Sequence, residues 1–363
     1  MDGRRILISP LNWGLGHAGR MIPLAIELKK RGNEIIFGTD KSLIHVLEKD
    51  LHGITIIQIP GIRMRYSGVF PQYLCIFLQV PLLIISAFRE HSALKRIVRE
   101  LKPDIIISDN RFGFFHKDVY SVFVTHQLRI AFPRFLRFLE PVAAWLNRQI
   151  IARYDLCLVP DYPGKVNLSG GLSHEATLPE NVFYMGPLSR FSVTDKSETN
   201  MNLPPHYYCL ILSGPEPQRS LLLEKVSSAL HGIQLVVLSG TPLTGDLKER
   251  HNITVIANPD TAMMRHVIRG STMVISRSGY TSIMELVSLG KGAVLIPTPG
   301  QPEQEYLGQY NNNRHGFITL KQNNLAGLNE ACQKEGVKAS VGFPDSSALF
   351  EEAVRLLLDQ KKK

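Results

Sequence analysis

Cysteine is scarce in this chain: Cys75, Cys157, Cys209 and Cys332 are the four in 363 residues, far apart and outside any Cys-x-x-Cys or Cys/His ligand spacing. No disulfide framework and no zinc module is indicated, and a reducing compartment is the simpler setting. An Asp-x-Asp metal motif is also missing. Long apolar runs are lacking as well. The longest apolar stretch, Val69 to Phe88, is broken by Pro71, Gln72, Gln79 and Pro81, which makes it a poor spanning helix, since a span takes about 20 apolar residues. A buried core helix is its default reading and an interfacial segment the alternative. Met1 to Arg5 runs straight into Ile6, Leu7 and Ile8, a first strand rather than the apolar region of a signal peptide, so no export is expected. No internal repeat stands out. Acidic residues are outnumbered, 32 Asp and Glu against 41 Lys and Arg, for a net charge of +9. That excess suits nucleotide diphosphates, anionic lipid head groups or nucleic acid without choosing among them.

What is present is the composition of a soluble globular protein, 44% hydrophobic and 20% charged, in a chain long enough for two domains with large cores. Strands are expected at Ile6–Ser9, Glu34–Gly38, Ile54–Ile59, Ile105–Ser108, Val122–Val124, Leu156–Pro160 and Val182–Met185. A second series follows at Tyr208–Leu212, Val236–Ser239, Thr254–Ile256, Met273–Ile275, Val294–Pro297 and Phe317–Leu320, with a last helix over Ala348–Leu358. Strands alternating with helical spacing predict an α/β chain of doubly wound parallel sheets. The polar run Ser192 to Asn202 reads as a linker, and Lys361 to Lys363 as a frayed tail.

The stretch richest in chemistry begins at Val274. An apolar strand is broken by Ser276, Arg277, Ser278 and Gly279, and Ile283, Leu286 and Val287 then recur at helical spacing. A helix starting here turns its first N–H groups and positive dipole end out of the turn, so Ser278, Gly279 and Tyr280 offer an anion site that needs no metal. Glu285 lies about two turns further, near the face of Ser278 and Ser282, where a carboxylate can accept from two neighbouring hydroxyls such as those of a ribose. Taken alone, the stretch is explained about equally well by an ordinary strand-turn-helix with a serine cap and a solvated glutamate. The next strand ends in Thr298, Pro299, Gly300, Gln301 and Pro302 before Glu303, Gln304 and Glu305 open another helix. Two successive strand ends thus carry polar residues to one rim, where ligands of open α/β sheets bind.

In the first half, the loop from Pro10 to Gly19 carries Gly14, Gly16 and His17 before helical spacing at Met21, Leu24, Ala25 and Leu28. Glycines also serve tight strand-to-helix packing, and both uses fit. Near a helix N-terminus His17 stays neutral and can remove a proton. Asp109, at the end of the Ile105–Ser108 strand, is a second candidate base or a partner orienting one. His126 suits core packing, capping or ligand contact. From Arg129 to Arg148, arginines interleave with Phe132, Phe135, Phe138 and Trp145. An anionic membrane surface ranks first for that stretch, a plain solvated helix close behind and nucleic acid a distant third.

The order Ser276, Arg277, Ser278, Gly279, Glu285 and then Gln304 and Glu305 resembles the C-terminal domain of family 28 glycosyltransferases, which includes the enzyme adding N-acetylglucosamine to the lipid-linked peptidoglycan precursor. The resemblance implies a GT-B fold, two Rossmann-like domains facing a central cleft. It assigns residues 1–190 to acceptor binding, 191–203 to a linker and 204–363 to the nucleotide-sugar domain, with the last helix packing back on the first domain. It implies that Glu285 holds the ribose of UDP and Gln304 contacts the donor sugar, with Glu305 where a second Gln is common. Gly16 and His17 match the end of the family's first glycine-rich motif, although Asn12, Trp13 and Leu15 depart from it. Val122 to Gln127 resembles the family's strand ending in His-Glu-Gln-Asn. Gly186 to Arg190 resembles the segment closing its first domain, which brings Arg190 to the cleft. Ser213 and Gly214 stand where relatives have a glycine-rich diphosphate loop; Pro215, Glu216 and Pro217 depart from it, and Arg219 is expected to replace the missing amides with charge. Asn258 to Thr261 sits where relatives cap the uracil.

The implied activity is inverting, metal-independent transfer of a hexose or N-acetylhexosamine from a UDP-sugar, with no cofactor, to a lipid-linked or cell-envelope glycan acceptor. His17, or Asp109, acts as base, and the protein is expected in the cytoplasm, peripheral to the inner face of the membrane. A nucleotide-sugar hydrolase or UDP-sugar 2-epimerase on the same fold, and a non-catalytic nucleotide-sugar or lipid-binding protein, are the alternatives.

Overall fold

Thirteen strands, every one paired in parallel, make two sheets in a computed structural model that describes residues 3–12, 15–59, 61–62, 65–68, 70–174, 178–192, 201–240, 252–334 and 343–360. Trp13 and Gly14 of the first loop, residues 193–200 of the expected linker and the Lys361–Lys363 tail lie outside them. The chain divides into two compact units. The first comprises Met1–Met64, Phe77–Leu188 and Pro344–Lys363, and the second Arg65–Ile76 and Ser189–Phe343.

The first unit contains β1 (Arg5–Pro10), α1 (Leu15–Lys30), β2 (Glu34–Thr39), α2 (Lys41–Leu47) and β3 (Thr55–Gln58). After α3 (Gln72–Leu101) come β4 (Ile105–Asp109), β5 (Tyr120–Val124), α4 (Glu140–Ile151), β6 (Leu156–Val159) and β7 (Val182–Tyr184). The sheet order is β3-β2-β1-β4-β5-β6-β7. Isoleucine, leucine and valine fill β1, β4 and β6 because both faces of a parallel sheet are covered. Winding outward in both directions from β1 leaves a switch point between the ends of β1 and β4, where Pro10 pairs with Asp109.

The second unit holds β8 (Tyr208–Leu212), α5 (Gln218–Ala229), β9 (Leu235–Ser239), β10 (Ile253–Ala257), α6 (Thr261–Gly270) and β11 (Met273–Ser276). It continues with α7 (Tyr280–Ser288), β12 (Ala293–Leu295), α8 (Pro302–Asn311), β13 (Phe317–Thr319) and α9 (Leu328–Gln333). The order β10-β9-β8-β11-β12-β13 repeats the winding and puts a second switch point between β8 and β11. The core is built on Leu210, Leu222, Val226, Val237, Ile275 and Val294. The last helix, α10 (Ser347–Leu358), belongs to the first unit, where Ser346 packs against Gly186 at φ +75.

Helix α3 departs from expectation. Pro81 does not break it, and it is not a buried core helix: Phe77, Leu78, Leu82, Ile84, Ile85 and Phe88 are exposed, the last at 71%. Leu94 and Ile97 near its end pack on the sheet, and Ala87 meets Gly113. Thirty residues of helix reach about 45 Å, whereas five-residue strands reach about 17 Å, so a helix of this length outruns the sheet that covers it. By length and composition it is apolar enough to cross a membrane, with 6% of its most apolar window buried. The arginine-aromatic stretch forms a 3-10 turn (Arg134–Leu139) and α4, leaving Phe135, Phe138, Trp145 and Leu146 exposed.

Candidate functional site

At the first switch point, α1 begins at Leu15 and puts Gly16 and His17 in its first turn, while β4 ends on Asp109. His17 Nδ1 lies 3.0 Å from Asp109 Oδ2, with the imidazole partly exposed and the carboxylate fully buried. This brings together the two residues singled out as catalytic, in unequal positions. A carboxylate with no exposure is placed to orient the ring, and the ring has the access to solvent that a base needs. Arg20, one turn beyond His17 and also fully buried, donates Nε to Asp109 Oδ2 at 3.1 Å and pairs through Nη2 with Oδ1. Burial alone would push the Asp109 carboxyl up; Arg20 and His17 outweigh it and hold the group below its usual pKa. Arg20 Nη1 also donates to His126 Nδ1 at 3.0 Å, so His126 is an acceptor here and carries its proton on Nε2. Sequence reading did not give Arg20 this role, although its i+3 spacing from His17 places both on one helix face.

At the second switch point, β11 runs into Arg277, Ser278 and Gly279, and α7 starts at Tyr280 without a side-chain cap. Gly279 has ordinary dihedrals, and a Cβ built on it would meet no atom within 4 Å. The glycine is therefore required neither by its backbone nor by its neighbours, and the space before the positive end of α7 is open. Ser278 is buried and donates Oγ to the Gln304 carbonyl at 2.7 Å. The Tyr280 ring is buried in the unit.

Arg277 lies beneath this turn. Its buried guanidinium donates to the carbonyls of Ile296 (3.2 Å), Pro297 (3.3 Å) and Gln218 (2.7 Å). Among the described residues no carboxylate pairs with it, and burial pulls its pKa down to about 10. The motif contained this residue, but nothing in its spacing revealed a charge met only by backbone dipoles.

Glu285, on α7, forms an ion pair with Arg190 at 2.7 Å, both side chains being about one-tenth exposed. Gln304 accepts the Thr298 N–H on its amide oxygen at 2.8 Å, and Glu305 accepts the Gly300 N–H at 2.8 Å, so both brace the turn before α8. Ser213 is half-buried after β8, and Gly214 turns the chain at φ +91 in open space. Arg219 is paired with Glu216 at 2.7 Å, and Glu216 also accepts from Ser220 N and Oγ at the start of α5. Burial raises the Glu216 carboxyl, but these bonds prevail and keep its pKa low. Asp260 caps α6 through Met263 N at 2.7 Å.

Residues 222–360 match the glycosyltransferase family 28 C-terminal domain. This part of the chain is that domain. Over its whole length the chain is distantly related to an uncharacterized glycosyltransferase of Methanosarcina mazei, 26% identical across 99% of this chain and 91% of the relative. A UDP-N-acetylglucosamine--N-acetylmuramyl-(pentapeptide) pyrophosphoryl-undecaprenol N-acetylglucosamine transferase of Lactobacillus johnsonii is 21% identical across 95% and 97%. Among solved structures, the calicheamicin glycosyltransferase CalG4 superposes with a TM-score of 0.61 at 14% identity, covering 100% of both chains. MurG of Acinetobacter baumannii gives 0.56 at 13%, covering 98% of this chain and 100% of that one. The two parallel sheets are those of the GT-B fold that these structures share.

Proposed function

We propose that the protein transfers a sugar from a UDP-sugar to an acceptor hydroxyl with inversion at the anomeric carbon. One observation carries the donor half: the uncapped start of α7, open in front of Gly279 and backed by the buried Arg277 cation. A diphosphate seated there meets helix amides, a positive dipole end and an under-compensated guanidinium together. Glu285 would take the ribose hydroxyls, sharing its carboxylate with Arg190.

For the acceptor half, Asp109 accepts the Nδ1 proton of His17, which leaves Nε2 as base. The acceptor O–H gives its proton to Nε2, its oxygen bonds to the anomeric carbon, and the bond from that carbon to the diphosphate oxygen breaks. Charge gathering on the departing UDP falls at the α7 end. The scheme asks for no cation. UDP-N-acetylglucosamine is the first donor to test, because the bacterial relatives are named for it. Calorimetric titration of UDP in the presence of a chelator tests the donor half, with saturable binding expected.

We also propose that the protein works at an anionic membrane surface. The exposed apolar residues of α3 and α4, with Arg134, Arg137 and Arg148, form the kind of basic amphipathic surface that lies on such a bilayer. A lipid-linked or other membrane glycan would then be the acceptor, met from the cytoplasmic side.

A further inference from the structure

Asn12 follows β1 at the first switch point. It is 7% exposed, and neither its Nδ2 nor its Oδ1 has a hydrogen-bond partner. Buried primary amides are normally satisfied, because an enclosed donor and acceptor without partners lose their water and gain nothing in return. Gly61, beyond β3, packs against this amide: a Cβ there would collide with Asn12 Nδ2 and Arg111 Nη2. On the same rim, Thr39 at the end of β2 is fully buried with Oγ1 unpartnered. In the parallel register Ile8 of β1 pairs with Phe37 of β2, so Thr39, which pairs with Gln58 of β3, ends β2 level with Pro10, two residues before Asn12.

The charges on this rim exclude an anion as the missing partner. Arg20 is spent on Asp109, and Arg111 is within electrostatic range of Glu90, Asp40 and Asp109. Two guanidiniums thus face three carboxylates, leaving no surplus positive charge for a phosphate. A primary amide presents one donor and one acceptor side by side, matching neighbouring hydroxyls on a sugar ring.

We propose that Asn12 forms a subsite for the hydroxyls of a neutral sugar on the acceptor. This rests on the reading of the first unit as the acceptor side. Asn12 is one of the residues by which this chain departs from the family's first glycine-rich motif. Binding requires the amide to rotate toward the sugar, which it can do at little cost because it has no protein bond to break.

The test uses the full chain in saturation-transfer NMR with neutral methyl hexopyranosides and N-acetylhexosaminides, with isopentenyl diphosphate as the anionic probe and UDP as control. Wild type is expected to saturate at least one glycoside that isopentenyl diphosphate does not displace. Asn12→Leu is expected to weaken that glycoside at least tenfold while melting at or above the wild-type temperature, since Leu fills the same volume without stranded polar atoms. The proposal is overturned if wild type binds no glycoside, if isopentenyl diphosphate displaces it, if N12L binds it equally, or if N12L melts lower or does not fold. The last result would give the amide a structural partner such as an enclosed water. Loss of the UDP signal alone would strike the donor reading and leave this one standing.

Discussion

The Glu216 carboxylate lies 2.7 Å from the Arg219 guanidinium and also accepts two bonds from Ser220 at the start of α5. The chain thereby supplies its own anion to one of the two helix ends at the second switch point and leaves the other, α7, open. Arg219→Ala should therefore change UDP affinity by less than about threefold, whereas Arg277→Met should lower it tenfold or more, the ~1.4 kcal/mol or greater expected of a lost charge-assisted contact. Calorimetry on the two variants checks the contrast, and the reverse order would move the diphosphate to α5.

His17→Ala removes the ring that Asp109 orients. Transfer should fall by about 10² to 10⁴ in kcat, the usual worth of general-base catalysis, with UDP affinity unchanged. Asp109→Ala should act differently, because it strands the fully buried Arg20; a loss of about 3–5 kcal/mol of stability is expected from a broken buried pair. Steady-state kinetics and urea unfolding separate the two effects. Product analysis in the same assay checks the reaction class: sugar released to water without an acceptor points to a hydrolase, and a changed configuration to an epimerase.

Two buried carboxyls give opposite pH dependences. Asp109 has a depressed pKa in the folded protein, so its contribution is complete above its unfolded value and is lost as pH falls from about 4 through the folded value. Glu90 is raised by burial, which outweighs Arg111 and Ser86. The folded chain then holds a proton that the unfolded chain has released, and stability declines as pH rises from about 4.3 through the folded value. Glu90→Gln should be more stable than wild type at pH 8 and converge with it below about pH 4. Unfolding curves at the two pH values decide this.

Phe138 and Trp145 are 72% and 57% exposed, so Phe138→Glu with Trp145→Glu should leave the melting temperature within about 2 °C of wild type. Sedimentation with vesicles containing a third phosphatidylglycerol should drop severalfold in the double variant and should weaken for wild type as salt is raised.

Strand positions were legible in the sequence because period and burial coincide in a parallel sheet: Leu210, Val237 and Ile275 are apolar wherever the core needs them. The switch-point turns were legible too, since Ser-Arg-Ser-Gly cannot continue a strand. What stayed hidden depends on contacts between residues far apart. His17 and Asp109 are 92 residues apart, and no spacing rule joins them. The α3 reading failed for a related reason: apolar content predicts burial only where a partner surface exists, and the sheet is too short to cover that helix. In the sequence Arg219 stands as available charge, but Glu216, three residues before it, is near enough to neutralise it.

Gly279 offers the most direct measurement. No atom lies within 4 Å of a Cβ built there, and its φ of -71 suits any residue, so Gly279→Val should fold and melt as wild type does. If UDP docks on the start of α7, the valine side chain fills the space the diphosphate needs. Titration of UDP in the presence of EDTA should then show saturable binding to wild type and at least a hundredfold loss in G279V. Equal affinity in both proteins, or no binding to wild type until a divalent cation is added, would contradict the account.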